Sequence, residues 1–317
     1  SEVTGVVSVK VMWLTREVAS FEQAVTLPQW SGQQLSFPWV TPGDDYRGYG
    51  IEVDLIVDGE VRDTRSSAMD VSSDWIRFPR YGFFCDYYPG DDAEGKARTL
   101  AKYHINALQF YDWKWTHDRL VPYAGAEVAD LYTQPDGRVQ SFNTVKAKVA
   151  AAHSRNMAAL SYALMYGDSG NDTAPEQVTW AAFTQPNSTD LADIRTHKVG
   201  YTIWVMDVSH PGWKSHIIGQ FHDAMDKAGF DGIHLDNLGG SWSYPYNSAA
   251  GIDESVAFPA FIREARDSLR SVYPQARVAH NDVAGGYQAA IAGSDTDVYY
   301  TEVWTRDTYQ DIREKIG

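Results

Sequence analysis

Two rhythms of apolar and polar residues follow one another along the chain. Up to about residue 78 the apolar positions come in short β-branched and aromatic runs: "VVSVKVMWL" (6–14), "QLSFPWV" (34–40) and "YGIEVDLIV" (49–57). Runs of this length, bounded by turn residues, predict strands, and "VDGEV" (57–61) sets an Asp-Gly pair where a two-residue hairpin needs one. Several such strands predict a small all-β, immunoglobulin-like sandwich over residues 1–78. Nothing in that region resembles a catalytic cluster.

After Phe78-Pro79 strand-like runs alternate with helical ones. "RYGFFCDYY" precedes "DAEGKARTLAKYH" and then "INALQFYDW"; "SFNTVKAKVAAAHSRN" (141–156) precedes "MAALSYALMY" (157–166). Further on, "HPGWKSHIIGQFHDAMDKAG" leads into "FDGIHLD", "DESVAFPAFIREARDSLRSVY" into "ARVAHNDV" (276–283), and "DVYYTEVW" (297–304) into a terminal helix. This spacing predicts parallel strands joined by helical crossovers, with reactive groups at the rim where the strands end. Six strands are counted, or seven if "YTIWVMDVS" (201–209) is a stave rather than a strand returning from the long excursion 167–208. A full barrel has eight. The expected fold of residues 79–317 is a catalytic (β/α)8-type (TIM) barrel that is incomplete at its C-terminal end.

Alternation also sorts the carboxylates. In "GFDGIHLD" the side chains of Ile233 and Leu235 point to the helices, and those of Gly232, His234 and Asp236 point inward, with Asp236 last. Asp231 falls at the opposite end, where a capping or turn role suits it. In "DVYYTEVW" Val298, Tyr300, Glu302 and Trp304 share a face, and Glu302 stands near the end. Two carboxylates on nearby strand ends are what cleavage of a glycosidic bond requires. One must be ionised to attack or stabilise an oxocarbenium-like carbon, and the other must hold a proton for the leaving oxygen. From spacing alone a structural ion-pair role is equally open.

Composition narrows the choice further. Phe, Trp and Tyr make up 13% of the chain and gather in segments such as "FYDWKWTHD" (110–118) and "GGSWSYPYN" (239–247). Flat apolar faces with polar tips suit sugar rings, although ordinary loop anchoring explains each residue taken singly. "YDWKW" (111–115), Trp242, Tyr244 and Trp304 are the expected contributors to a sugar cleft. A net charge of −15 argues against nucleic acid as a partner. No apolar run approaches the roughly 20 residues of a membrane span. The single cysteine, Cys85, excludes internal disulfides and reads as a packed thiol. His210, His216 and His222 recur every six residues, which turns them around a helix instead of aligning them for zinc. No metal or cofactor is expected. Asp112 and Asp118 suit sugar hydroxyls and loop capping equally.

The segments "PRYGFFCDYY", "NALQFYDWKWTHDRL", "SYALMYG", "GFDGIHLDNLG" and "YYTEVW", in this order, resemble glycoside hydrolase family 66. That family comprises endo-dextranases and cycloisomaltooligosaccharide glucanotransferases. The resemblance extends over nearly the whole chain, and "NALQFYDWKWTHD" is its most specific part. It implies retaining endo-cleavage of α-1,6-linked glucan (dextran), with Asp236 as nucleophile and Glu302 as acid/base. With it Tyr111, Asp112, Trp113, His117, Tyr162, His234, Asn281 and Trp304 are expected to contact the substrate. It also implies a secreted bacterial enzyme. Family members continue into further barrel strands and a C-terminal β domain, so a fragment is expected. The alternatives are a cyclising glucanotransferase and a glucan-binding protein without turnover.

Overall fold

The computed structural model describes residues 2–171, 173–240, 242–283, 286–303 and 308–316, without the side chains of 315 and 316. The chain divides into two compact units, Ser1–Pro79 and Arg80–Gly317.

The first unit is built on strands β1 (Val3–Trp13), β2 (Arg16–Leu27), β3 (Arg47–Val57) and β4 (Glu60–Val71). They form one antiparallel sheet in the order β2-β1-β3-β4. Asp58 and Gly59 join β3 to β4 with φ of 57° and 79°, the paired positive values that a tight hairpin turn uses. Among the described residues of this unit these four strands form the one sheet. The run 34–40 forms no strand. Pro38 has no N–H to give a ladder, and the segment lies against the sheet through its rings. Phe37 meets Phe21 at a centroid distance of 6.0 Å, and Trp39 meets the buried Tyr49 edge-on at 5.0 Å.

In the second unit strand and helix alternate. The elements are β5 (Tyr81–Phe84), α1 (Ala93–Lys102), β6 (Ala107–Phe110), α2 (Phe142–His153) and β7 (Ala158–Leu164). After the excursion, with its short strands β8 (Gly167–Asp168), β9 (Thr196–Lys198) and β10 (Thr202–Val205), come α3 (Pro211–Ala228), β11 (Gly232–Asp236) and α4 (Glu254–Val272). The unit ends with β12 (Arg277–Asn281), α5 (Gln288–Ala292), β13 (Val298–Tyr300) and α6 (Tyr309–Ile316). Helix starts are set locally. Asp92, Ser141 and Asp253 each accept a hydrogen bond from a first-turn N–H, and α3 begins on Pro211 and ends on Gly229 at φ 81°.

The expectation of a (β/α)8-type barrel truncated at its C-terminal end is corrected here. The described residues form an open, all-parallel sheet of six strands, β13-β12-β11-β7-β6-β5, accompanied by small antiparallel sheets. β10 pairs antiparallel with β8 and β9, so it returns from the excursion and is not a stave. The open sheet is strongly curled. Tyr81 sits on an edge strand three places from β11, a span of roughly 14 Å in a flat sheet, yet its hydroxyl lies 2.9 Å from His234 Nδ1. Tyr81 and Tyr300 occupy opposite edge strands, and their ring centroids are 6.0 Å apart. Alternating strands and helices establish parallel crossovers. Whether the first strand pairs with the last depends on twist and on what fills the concave face, which periodicity does not carry.

The convex face carries the apolar core. Leu108, Phe110, Ile233, Leu235 and Val278 are fully buried, as are Phe221 of α3 and Phe261 of α4. Gly232 is required for close approach, since a Cβ there would lie 1.9 Å from the Arg277 carbonyl oxygen. The concave face is polar and aromatic, and it rises to the strand ends.

Candidate active site

β11 and β12 are hydrogen-bonded neighbours in register Leu235↔His280, so Asp236 and Asn281 reach the same level of the rim. Asn281 in turn pairs with Tyr300, which places Glu302 just beyond on the next strand. The Asn281 carboxamide nitrogen donates to both carboxylates, at 2.8 Å to Asp236 Oδ1 and 3.1 Å to Glu302 Oε2. Its carbonyl oxygen accepts the Glu302 backbone N–H at 3.2 Å. Asp236 takes two more hydrogen bonds, from the Tyr162 hydroxyl at 2.7 Å and from the Asn237 N–H at 2.9 Å. A cleft of about 440 Å³ opens above them, with Phe83, Gln109, Tyr111 and Tyr300 in its walls.

Asp236 is 8% exposed. Burial raises its pKa to about 6, the Glu302 charge adds to the rise, and the hydrogen bonds from Tyr162, Asn281 and Asn237 oppose it. Those donors favour the anion, so near neutral pH the group stands as a carboxylate close to its titration point. Beneath it His234 is held neutral. Burial, with His280 adding to it, lowers its pKa to about 3. Its ring stacks between Tyr81 and Tyr162, and Tyr300 meets it edge-on at 5.4 Å. The Tyr111 hydroxyl is pushed up to about 12 by burial and by nearby carboxylates, so it is a neutral donor. The floor thus offers apolar ring faces, neutral donors and two carboxylates, with no lysine or arginine among the described residues that line it.

Of the residues singled out from the sequence, the fold brings Asp236, Glu302, Tyr111, Tyr162, His234 and Asn281 to this one cleft. It does not bring Asp112, Trp113 or His117 to the cleft lining. Asp112 pairs with the buried Lys114 at 2.7 Å and with Arg138 at 3.0 Å. Burial would raise its pKa, but those two cations hold it below the usual carboxylate range. Trp113 lies in the core between Phe142 and Phe230 and donates to Ser161 Oγ at 3.0 Å. His117 is buried and bonded to the Tyr201 hydroxyl at 3.0 Å. The segment after β6 turns away from the rim at Asp112, whose φ is 53°. Trp304 lies outside the described residues, and Trp242 and Tyr244 line no part of this cleft. Asp118 accepts the Ser169 N–H at 3.3 Å. Asp231 sits at the opposite end of β11, where its carboxylate accepts the Ala159 N–H at 2.7 Å and meets His153 at 2.8 Å. Cys85 is exposed and not packed, because it lies just past the end of β5. Partial desolvation by its neighbours and the Asp86 charge raise its thiol pKa.

Phe83, Gln109, Asn237, Leu238 and Val283 also line the cleft and were not singled out. Alternation in "YGFF" places Phe83 on the face of Tyr81, and that signal was available from the sequence. Asn237 is different. Its carboxamide donates to the Asn281 carbonyl at 2.6 Å and accepts the Gly239 N–H at 2.8 Å, a loop geometry that no periodicity announces.

A curled parallel sheet with paired carboxylates at its C-terminal rim is an arrangement met among enzymes that cleave glycosidic bonds, and the comparisons place the chain in that class. Over residues 1–317 it matches glycosyl hydrolase family 66, and it belongs to that family. A cycloisomaltooligosaccharide glucanotransferase of Niallia circulans is 30% identical over 99% of this chain and 33% of that protein. A dextranase of Streptococcus salivarius is 27% identical over 78% of this chain and 32% of its own. The crystal structure of a Paenibacillus sp. cycloisomaltooligosaccharide glucanotransferase complexed with cycloisomaltoheptaose superposes with a TM-score of 0.89 at 28% identity. That match covers 99% of this chain and 46% of that one. The chain thus spans about a third of the length of the Niallia and Streptococcus relatives.

Proposed function

We propose that this chain carries the catalytic centre of a retaining endo-dextranase, with Asp236 as nucleophile and Glu302 as general acid/base. The observation that carries the reading is the shared Asn281 nitrogen. Two oxygens 2.8 and 3.1 Å from one atom cannot stand more than about 6 Å apart. That bound on one oxygen pair is compatible with the about 5–5.5 Å at which retaining sites hold their carboxyl groups, whereas inverting sites hold them roughly 6.5–9.5 Å apart to admit a water. In the first step an Asp236 oxygen bonds to the anomeric carbon while the bond to the leaving oxygen breaks, and that oxygen takes the Glu302 proton. In the second step Glu302 removes a proton from water, whose oxygen displaces Asp236.

The substrate in this reading is an α-1,6-glucan, after the names of the relatives and the tyrosine-lined cleft. Because dextran is an extracellular polymer, the reading includes secretion. Among the described residues no helix is long and apolar enough to cross a membrane. A second reading, cyclisation by a sugar hydroxyl in place of water, is favoured by the glucanotransferase relative that covers 99% of the chain. One NMR time course on dextran tests both the stereochemistry and the acceptor. Reducing ends that appear first as the α-anomer are expected, and initial β-anomer overturns the retaining mechanism. Linear products support the dextranase, and cyclic isomaltooligosaccharides support the transferase.

A further inference from the structure

The loop that leaves Asp236 builds a second hollow outside the cleft. Trp242 is 71% exposed, yet it is pinned from three sides. Its indole N–H donates to the Tyr244 hydroxyl at 2.9 Å, and its backbone carbonyl accepts from the Arg195 guanidinium. The benzo ring rests on Gly251, where a Cβ would come within 3.0 Å of it. Trp242 walls a hollow of about 330 Å³ together with Ile252, Asp253, Glu254, Ser255 and Tyr287. Single exposed apolar side chains are common, and Trp30 is more exposed still; Trp242 differs in that its ring is held against a hollow. Here one flat apolar face stands beside two carboxylates and two hydroxyls, Ser255 donating to Asp253 and Tyr287 to Glu254. That is the complement of a pyranose ring, apolar on its C–H face and hydroxylated at its edge.

The hollow is tied to the rim of the cleft through Tyr287. Tyr287 donates its backbone N–H to the Asp282 carboxylate at 3.1 Å, and the Asp282 N–H donates to the Tyr300 carbonyl at 2.9 Å. Asp282 stands between Asn281 and Val283, and both of these line the cleft. On the other side the hollow shares Gly251, Ile252 and Asp253 with a further groove of about 320 Å³, which extends to Lys214 and Pro245.

We propose that Trp242 is the platform of a remote glucan-binding subsite, which holds a glucosyl unit of the same polymer several residues away from the bond being cleaved. The inference rests on the α-glucan reading of the cleft. The subsite is filled only by chains long enough to reach both hollows, so it makes the protein prefer polymer to short oligosaccharide.

The test compares long dextran with isomaltotriose for the wild type, Trp242→Ala and Trp242→Phe, with melting temperatures recorded alongside. Trp242→Ala is expected to raise KM for dextran about tenfold more than KM for isomaltotriose, the loss of one stacked ring face. Trp242→Phe, which retains a flat ring, should recover most of that difference. Equal losses on the two substrates, or none on either, overturn the subsite. Native electrophoresis in dextran-containing gels separates this result from failure of the functional reading. A wild type that is retarded by dextran through Trp242 but does not cleave it retains the subsite and loses the dextranase. Retardation unchanged in Trp242→Ala overturns the subsite whatever the activity.

Discussion

The two ends of the strand Gly232–Asp236 carry aspartates five residues apart, and the fold treats them in opposite ways. Asp231, beside the N-terminal end, is substantially exposed. Its carboxylate serves one backbone N–H and one histidine. Asp236, at the C-terminal end, is enclosed, takes three hydrogen bonds and stands beside a second carboxylate over an open cleft. Burying a carboxylate costs free energy, and in this strand that cost falls at the end where the proposed chemistry lies. In a parallel sheet the strand ends are not equivalent, because the crossover loops at the C-terminal end can enclose a ligand. On the proposed reading, position along the strand, more than residue type, separates a structural carboxylate from a reactive one.

The sharpest way to break this comparison is to neutralise each partner at the enclosed end. Asp236→Asn and Glu302→Gln should each lower kcat/KM on dextran by roughly 10³-fold or more. Melting temperature distinguishes this from misfolding. A carboxyl whose folded pKa is raised stabilises fully only below its unfolded value near 3.9, and that contribution fades as pH rises through about 6. Asp236→Asn should therefore melt no lower than wild type at pH 8, and a marked drop there would mean that the ionised group holds the fold together. Retained activity in either variant would remove that residue from the mechanism.

A smaller effect is expected from the donors that serve Asp236. Tyr162→Phe removes a hydrogen bond that favours the anion, so Asp236 should bind its proton more tightly. The acid limb of the kcat/KM profile, expected near pH 6 in the wild type, should move to higher pH, with about a tenfold loss at neutral pH. A uniform loss without a shifted limb would assign Tyr162 to substrate contact instead.

The smallest effect belongs to the exposed end. The His153 pKa is raised first by its hydrogen bond to Asp231, against partial burial. A raised histidine contributes stability that is full below its unfolded value near 6.5 and is lost as pH rises through the folded value. Asp231→Asn should therefore cost less than about 1 kcal/mol, as exposed pairs do. Denaturant titrations should find that cost larger at pH 6 than at pH 9, with dextran cleavage nearly intact at both. A large catalytic loss would erase the contrast between the two ends.

How much of this was legible beforehand differs between elements. Period-two alternation put His234 and Asp236 on the inner face, and they line the cleft. The alternation of strand and helix predicted the parallel strands, and six are present. Of "YDWKW" only Tyr111 lines the cleft, because aromatic richness does not say which way a loop turns. Trp113 went into the core, and Asp112 was taken up by Lys114 and Arg138. The expected strand 34–40 failed because its rings found a sheet face to cover while Pro38 denied it a ladder.

By itself the sequence determined local matters: the alternation of strand and helix in the second unit, where helices start on Asp92, Ser141 and Asp253, and which strand side chains share a face. Those follow from backbone propensity and period, which neighbouring residues settle among themselves. Only the tertiary structure decided that the sheet is an open curl of six strands, that Asn281 ties Asp236 to Glu302, and that Trp242 faces a hollow of its own. Each of these joins residues distant in the chain through distances of a few ångströms. Such distances are set by how much the sheet twists and by which side chains fill its concave face, and they are properties of packing that no single segment holds.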